Sequence, residues 1–135
     1  MIDAFLVPEK TVVQAKGEGV ALDVSAARSR VFLLGLEITR IVEQESLDVR
    51  VFGSTDGVNW GAKPIVSFPQ SFYRGEHPLL LDLRALSDVR FVRAHWDLNR
   101  WGRSSEPPLF EFQLSIQEIS SEILEEANFE AKIPA

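Results

Sequence analysis

Strict alternation of apolar and polar side chains in LFEFQLSIQE, residues 109–118, is the feature that most constrains how this chain folds. Phe110, Phe112, Leu114 and Ile116 alternate there with Glu111, Gln113, Ser115 and Gln117. Successive side chains of a β-strand point to opposite faces of its sheet, so a repeat of two residues is a strand signature. The segment therefore predicts a strand with one face in a hydrophobic core and the other in water.

The same alternation recurs elsewhere in the chain. In SLDVRVFGS one face carries Leu47, Val49 and Val51. In VRFVRAHWDL the face of Val92, Ala94, Trp96 and Leu98 lies opposite Arg93, His95 and Asp97. Further strand candidates are residues 2–7, 10–15, 19–24, 30–42, 64–68 and 78–84. Gly35, inside one of these runs, predicts a bulge or the close approach of a neighbouring backbone.

Turn residues separate these short segments, and no strand alternates regularly with a helix. Many short strands at this spacing are typical of an antiparallel β-sandwich or barrel. A parallel α/β sheet would require helical segments between the strands. The sequence therefore predicts an all-β antiparallel sandwich over residues 1–118.

The last segment, residues 119–135, has a different pattern. Ile119, Ile123 and Ala127 are spaced as on one face of a helix, and Ser120 or Ser121 is a suitable N-cap. We expect a short acidic helix that forms a C-terminal tail. Packing on its own sandwich and packing on a neighbouring subunit both remain open from the sequence.

Composition excludes several classes of function. The 135 residues suit one domain, and the absence of cysteine removes disulfides, cysteine zinc sites and thiol nucleophiles. A net charge of -6 argues against a nucleic-acid partner, because phosphate contacts require clustered Lys and Arg. The chain has no secretory signal pattern and no long apolar span, so we expect no membrane insertion and a cytoplasmic or virion-associated location.

Sequence motifs for catalysis are also missing. The chain has no nucleophile elbow, no phosphate-binding glycine loop and no metalloprotease helix motif. His77 precedes a proline in an expected loop, and His95 is expected to point outward from its strand. Asp56 and Asn59 provide only part of a calcium loop. We therefore expect no enzyme activity, no cofactor and no metal site.

The segment HWDLNRWGRSSEPP, residues 95–108, carries the main binding candidates. Trp96 has the parity of the core face, whereas Trp101 stands among polar residues between Arg100 and Arg103. Trp and Arg dominate the hot spots of protein interfaces, and an aromatic ring also stacks on sugars. Trp101 covering the end of the sandwich is the alternative. FPQSFYRG, residues 68–75, adds a second aromatic loop with Tyr73, to which the same alternative applies.

The segment VFGSTDGVNW, residues 51–60, predicts a hairpin corner. We expect Gly57 to adopt a positive φ and Asp56 to accept hydrogen bonds from the backbone just ahead. With a loop of about three to five residues, the partner strand would begin near Trp60. Trp60 would then cover the end of the core or, alternatively, contact a ligand.

Residues 47–118 resemble the discoidin-like domains of the coagulation-factor C type, which are galactose-binding-like jelly rolls. The resemblance lies in a Ser-x-Asp-Gly-x-x-Trp hairpin and a later Arg-x-x-Arg strand, here Ser54, Asp56, Gly57, Trp60, Arg90 and Arg93. A similar hairpin occurs in phage-tail and virion-associated β-sandwiches. The chain lacks the early tryptophan-rich segment and the paired cysteines of many discoidin-like members. The resemblance implies a jelly roll.

The resulting functional expectation is a non-enzymatic binding or assembly module. Its partner would be another protein, including a structural assembly of the phage-tail kind, or a second copy of the chain. The alternative is a carbohydrate-binding module that uses the end loop around Trp101. The candidate contact residues are Trp101, Arg100, Arg103, Arg93, Tyr73 and Trp60.

Overall fold

The protein is all-β in the part that its computed structural model describes, which comprises residues 1–41, 45–71, 73–100 and 109–120, without the Arg100 side chain. The strands are β1 (Asp3–Val13), β2 (Gly17–Glu18), β3 (Leu22–Asp23), β4 (Val31–Ile41), β5 (Glu45–Ser54), β6 (Val66–Ser67), β7 (Gly75–Asp82), β8 (Phe91–Arg100) and β9 (Phe110–Glu118). Within these ranges, no helix has the length and apolarity that a membrane crossing requires.

The strands form two antiparallel sheets, as the alternation predicts. Sheet A has the order β1-β9-β4-β7, and sheet B has the order β2-β8-β5-β6, with β3 also paired to β8. The two sheets share one hydrophobic core, in a sandwich-like arrangement. The side chains that alternate with the core residues form the outer faces of the two sheets. These outer faces carry polar side chains and several partly exposed aromatic side chains.

The core confirms the predicted parity of the strands. Phe112 of β9 and Trp96 of β8 meet edge to face across the two sheets, with ring centroids 5.6 Å apart. Trp96 is 8% exposed, and its Nε1 donates to the Ala15 carbonyl at 3.1 Å. Burial of each such aromatic side chain contributes about 2–3 kcal/mol. Phe68, from the second aromatic loop, is also a core residue.

Three predicted strand boundaries are wrong. Residues 2–7 and 10–15 belong largely to the single strand β1, which is interrupted by shifts in register around Leu6 and Pro8. Pro8 has no N–H to donate to the neighbouring strand, so the sequence pattern predicts two strands that end on either side of it. In the structure the strand continues through Pro8 with a bulge. The segment 19–24 yields only the short strand β3. His77, expected in a loop, lies within β7.

The hairpin after β5 is also longer than predicted. The first backbone hydrogen bond back to β5 runs from the Ile65 N–H to the Val51 carbonyl, at 2.8 Å. The strand β6 begins at the next residue. The predicted turn chemistry is nevertheless confirmed. Gly57 has a φ of 78°, and Asp56 Oδ1 accepts from the Val58 and Asn59 N–H groups at 2.9 Å each. The loop is closed by hydrogen bonds among Ser54, Asp56 and Asn59 before the chain pairs with β5 again. Trp60 therefore does not begin a strand.

At Gly35 the structure shows neither the predicted bulge nor the approach of a neighbouring backbone, because the crowding atom belongs to a side chain. A Cβ atom there would lie 2.7 Å from the Ser115 Oγ of the neighbouring strand β9. Beyond Ser120, the expected C-terminal helix lies outside the described residues.

Candidate functional site

The outer face of sheet B carries the candidate site. In the antiparallel register of β5 and β8, Phe52 lies opposite Arg93 and Arg50 lies opposite His95. These positions alternate with the core residues, so their side chains point away from the core. We define the sheet B surface as Glu18, Arg50, Phe52, Trp60, Arg93, His95 and Asp97.

Arg93 is the centre of this surface. Its guanidinium lies 4.3 Å from the centroid of the Trp60 ring, a cation–π geometry. Its Nη2 also lies 2.5 Å from Glu18 Oε2 on β2. The Arg93 side chain is 28% exposed, so both contacts are only partly screened by water. The cation–π contact contributes about 0.5–1 kcal/mol at such a site.

A second group of contacts continues along β8. The Phe52 and His95 rings meet edge to face, with centroids 5.8 Å apart. Asp97 Oδ2 accepts from Arg50 Nη1 at 2.7 Å and lies 3.4 Å from His95 Nε2. Phe52, Trp60, Arg93 and His95 line a shallow, open depression of about 240 Å³. This geometry fits a contact surface better than an enclosed small-molecule pocket.

The loop after β5 positions Trp60. Ser54 Oγ accepts from the Gly57 N–H at 2.9 Å and donates to the Asn59 carbonyl at 2.6 Å. The N–H groups of Asn59 and Val58, with the Asn59 and Ser54 side chains, hold the pKa of the Asp56 carboxyl far below its ordinary value. The carboxylate therefore stays charged and keeps its loop contacts. These bonds fix the chain just before Trp60.

The structure brings together two of the predicted contact residues, Trp60 and Arg93. Trp60 does not cover the end of the core: it is half-buried and lies against Arg93 on the outer side of sheet B. The extended loop carries it there before the chain rejoins β5. Tyr73, before β7, is 79% exposed and is not one of the residues that line the depression.

The remaining predictions fall outside the described residues. Trp101 and Arg103 lie there, and so does the Arg100 side chain, although its backbone ends β8. The sequence interpretation missed Phe52, His95 and Glu18 as members of the surface. Alternation in β5 and β8 already places Phe52 and His95 outward, but only the register shows that they are neighbours.

Three ionisable side chains within the described strands, those of His95, Asp97 and Glu111, lie on different sheets. His95 and Asp97 are on sheet B, whereas Glu111 is on sheet A, where its Oε1 accepts from Thr39 Oγ1 at 2.8 Å. Among the described residues, no three His, Asp or Glu side chains are grouped so as to hold a metal ion. The arrangement supplies paired charges and aromatic faces for contact.

Comparison with known proteins adds no family. No protein-family model matches the chain, and a search of the curated proteins finds no significant match. The resemblance to discoidin-like domains therefore rests on the motif residues alone.

Proposed function

We propose that this protein is a non-enzymatic binding and assembly module whose contact surface is the sheet B surface, with a second copy of the chain as the partner. The stacking of Arg93 on Trp60 is the observation that carries the proposal. Arg and Trp are the residue types most enriched at the energetic centres of protein interfaces. Here they are placed side by side on an open face.

Preorganisation of Arg93 supports this proposal. An arginine that becomes ordered on binding loses rotamer entropy, which reduces affinity by about 0.5–1.5 kcal/mol. Arg93 is already held by Trp60 on one side and Glu18 on the other. Because folding has already restricted the Arg93 side chain, less rotamer entropy is lost when it binds a partner.

The charges of the surface favour a second copy as the partner. Two arginines, Arg50 and Arg93, are matched by the two carboxylates of Asp97 and Glu18. In a two-fold symmetric dimer the same patch faces itself, so each patch must be self-complementary. A surface with equal numbers of cations and anions meets that condition, whereas a surface of one sign would repel itself.

Light scattering or native mass spectrometry of the full chain tests the proposal. We expect a reversible dimer or higher oligomer with a dissociation constant between about 1 μM and 1 mM. Such constants correspond to binding free energies from about −8 to −4 kcal/mol. Arg93→Ala should shift the equilibrium strongly toward monomer. Arg84→Ala is the matched control, because Arg84 pairs with Asp82 in the turn after β7, away from the sheet B surface. A wild-type protein that stays monomeric throughout this range would refute self-association.

Carbohydrate binding is the second candidate, and the aromatic depression favours it. Trp60 and Phe52 supply apolar ring surface, and Arg93 and His95 supply hydrogen-bond donors beside it. Arg93 covers one face of Trp60, which leaves less of that ring for stacking on a sugar. A glycan array and tryptophan fluorescence titrations on wild type and Trp60→Ala test this candidate. It fails if no glycan binds and the fluorescence does not change.

We also propose a jelly-roll connection of the strands. From β3 to β9, successive strands alternate between the two sheets with one exception, the β5–β6 pair. Such alternation supports a jelly roll of the discoidin-like kind over a simple meander. An experimental structure of the full chain that places all the connections would test it.

A further inference from the structure

The outer face of sheet A contains a second depression, of about 320 Å³. Its floor is formed by Gly35 and Ser115, which are paired in the register of β4 and β9. Its rim includes Leu33, Pro78 and Glu76. The depression lies on the sheet opposite the Trp60–Arg93 contact, and none of the residues discussed above for the sheet B surface belongs to it.

Small side chains create the concavity. Gly35 has no Cβ, and a Cβ there would lie 2.7 Å from Ser115 Oγ. Ser115 Oγ itself turns down to donate to the Gly35 carbonyl at 3.4 Å. The floor of the depression therefore has no side chain projecting from Gly35. The Ser115 hydroxyl hydrogen is engaged by the Gly35 carbonyl.

Exposed apolar side chains stand beside this floor. Leu33 and Leu80 are directly opposite each other in β4 and β7 and are 43% and 50% exposed. Phe5 of β1, opposite Ser115, is 42% exposed. Grouped apolar side chains on a strand face exposed to water indicate a surface that is covered by something else.

Two glutamates face each other across the same strand pair. Glu37 of β4 is in register with Glu76 of β7. The Leu83 N–H donates to the Arg30 carbonyl, so these two residues form a hydrogen-bonded pair. Hydrogen-bonded and non-hydrogen-bonded pairs alternate along an antiparallel ladder, and seven residues further along β4 the Glu37–Glu76 pair is therefore non-hydrogen-bonded. Side chains approach most closely in such pairs, and like charges directly opposite each other are unfavourable. A cation seated between them would remove this repulsion.

In the part of the chain that the structure describes, no Lys or Arg lines this depression, and His77 is the one histidine in its wall. Among the described residues of the four strands of sheet A, the only Lys and Arg residues are Lys10 and Arg40. Lys10 lies in the β1 bulge, and Arg40 is opposite Glu111 in the register. The depression thus combines apolar walls with uncompensated negative charge.

Of the polar side chains that line the site, the two glutamates accept hydrogen bonds without donating, whereas His77, Gln113, Ser115 and Gln117 can do both. Gln113 Nε2 donates to Glu37 Oε2 at 3.1 Å, so that amide donor is occupied. Glu37 and Glu76 both line the depression. A guanidinium or ammonium group on an aliphatic stem matches both the acceptors and the apolar walls. A second copy of this same acidic face would repel it.

We propose that the depression over Gly35 is a docking site for a segment of a partner protein that presents an arginine or lysine side chain flanked by apolar residues. The basic group lies between Glu37 and Glu76, and the apolar neighbours pack on Leu33, Leu80 and Pro78. This site is independent of self-association through the sheet B surface.

An amide NMR titration of the full chain tests the proposal. The probe is acetyl-Leu-Arg-Leu-Arg-Leu-amide, and the control is the same peptide with citrulline, which is neutral and nearly isosteric with arginine. We expect shifts confined to residues 33–37, 76–80 and 113–117. Replacing arginine with citrulline should weaken binding roughly two- to fivefold, and added salt should weaken only the arginine peptide.

Two variants complete the test. Glu76→Gln should weaken arginine-peptide binding by about the same two- to fivefold factor, whereas Asp88→Asn, an equal charge change in an exposed turn, should not. Acetyl-arginine-amide, which lacks the apolar flanks, should bind more weakly than the peptide. The proposal is overturned if no shifts appear at these residues. Equal binding of the citrulline peptide, of acetyl-arginine-amide or to Glu76→Gln would overturn it as well.

Discussion

At the scale of single residues, Glu118 joins three parts of the chain. The side chain is 5% exposed, and its Oε1 accepts from the Ile2 N–H at 3.1 Å. Its Oε2 accepts from the N–H groups of Arg28 and Ser29 at 3.2 and 3.4 Å. Burial favours the neutral acid, but these backbone donors and the N-terminal ammonium outweigh it and hold the pKa of Glu118 below its ordinary 4.5.

Replacing Glu118 should therefore change both stability and its pH dependence. Glu118→Gln should lower the free energy of unfolding by about 1–3 kcal/mol at pH 7, because buried N–H groups lose acceptors. The folded pKa is lower than the unfolded one, so the carboxylate stabilises the fold above pH 4.5 and this contribution is lost as the pH falls through the folded pKa.

Urea unfolding at pH 7 and between about pH 5 and 3 provides the measurement. The Gln variant should lose less stability than wild type as the pH falls across that window. Asp88→Asn, in an exposed turn, is the matched control. Equal loss of stability by the wild type and Glu118→Gln would contradict the role assigned to this carboxylate.

At the scale of elements, the pairing of β4 with β7 places two carboxylates, Glu37 and Glu76, directly opposite each other. Like charges directly opposite each other in a non-hydrogen-bonded pair are expected to reduce stability. Glu76→Lys should convert repulsion into attraction and raise the free energy of unfolding by about 0.2–1 kcal/mol at low salt. The same variant should abolish binding of the arginine peptide.

Chemical denaturation at low and high ionic strength checks this prediction. The gain should shrink as salt screens the exposed pair. Glu76→Gln, which removes the repulsion without adding attraction, should give a smaller gain. A Glu76→Lys protein that is no more stable than wild type at low salt would show that the two carboxylates do not interact.

Elements also show where local patterns fail. Alternation correctly identifies β9, β8 and β5 because each buries one face in the core. It fails for β1, where the Pro8 bulge places exposed residues in succession inside one strand. The partner of β5, β6, lies inside the predicted segment 64–68, but the predicted loop of three to five residues is wrong because the bonds of Ser54 and Asp56 close a longer loop.

At the scale of the whole molecule, stability depends on the core that both sheets share. Phe112 is fully buried and contacts Trp96 of the opposite sheet. Phe112→Ala should lower the free energy of unfolding by about 3–5 kcal/mol through lost burial and the cavity that remains. Phe5→Ala, on the exposed outer face, should change it by less than about 0.5 kcal/mol.

Thermal and urea unfolding of both variants test this difference. If Phe112→Ala is too unstable to purify, Phe112→Leu should still cost more than Phe5→Ala, because it also leaves part of the aromatic volume empty. A near-neutral Phe112→Leu, with intact cooperative unfolding, would show that the two sheets do not depend on this contact.

Local physics accounts for the all-β class, the inward and outward faces of the main strands, Trp96 in the core and the turn at Asp56–Gly57. Each follows from side-chain parity or from the conformational freedom of one residue. Register does not follow, because backbone hydrogen bonds are the same at every offset and only the packing of the shared core selects one. That selection places Phe52 beside Arg93 and Glu37 opposite Glu76. Both proposed binding surfaces therefore exist only in the folded sheets, between residues far apart in the chain.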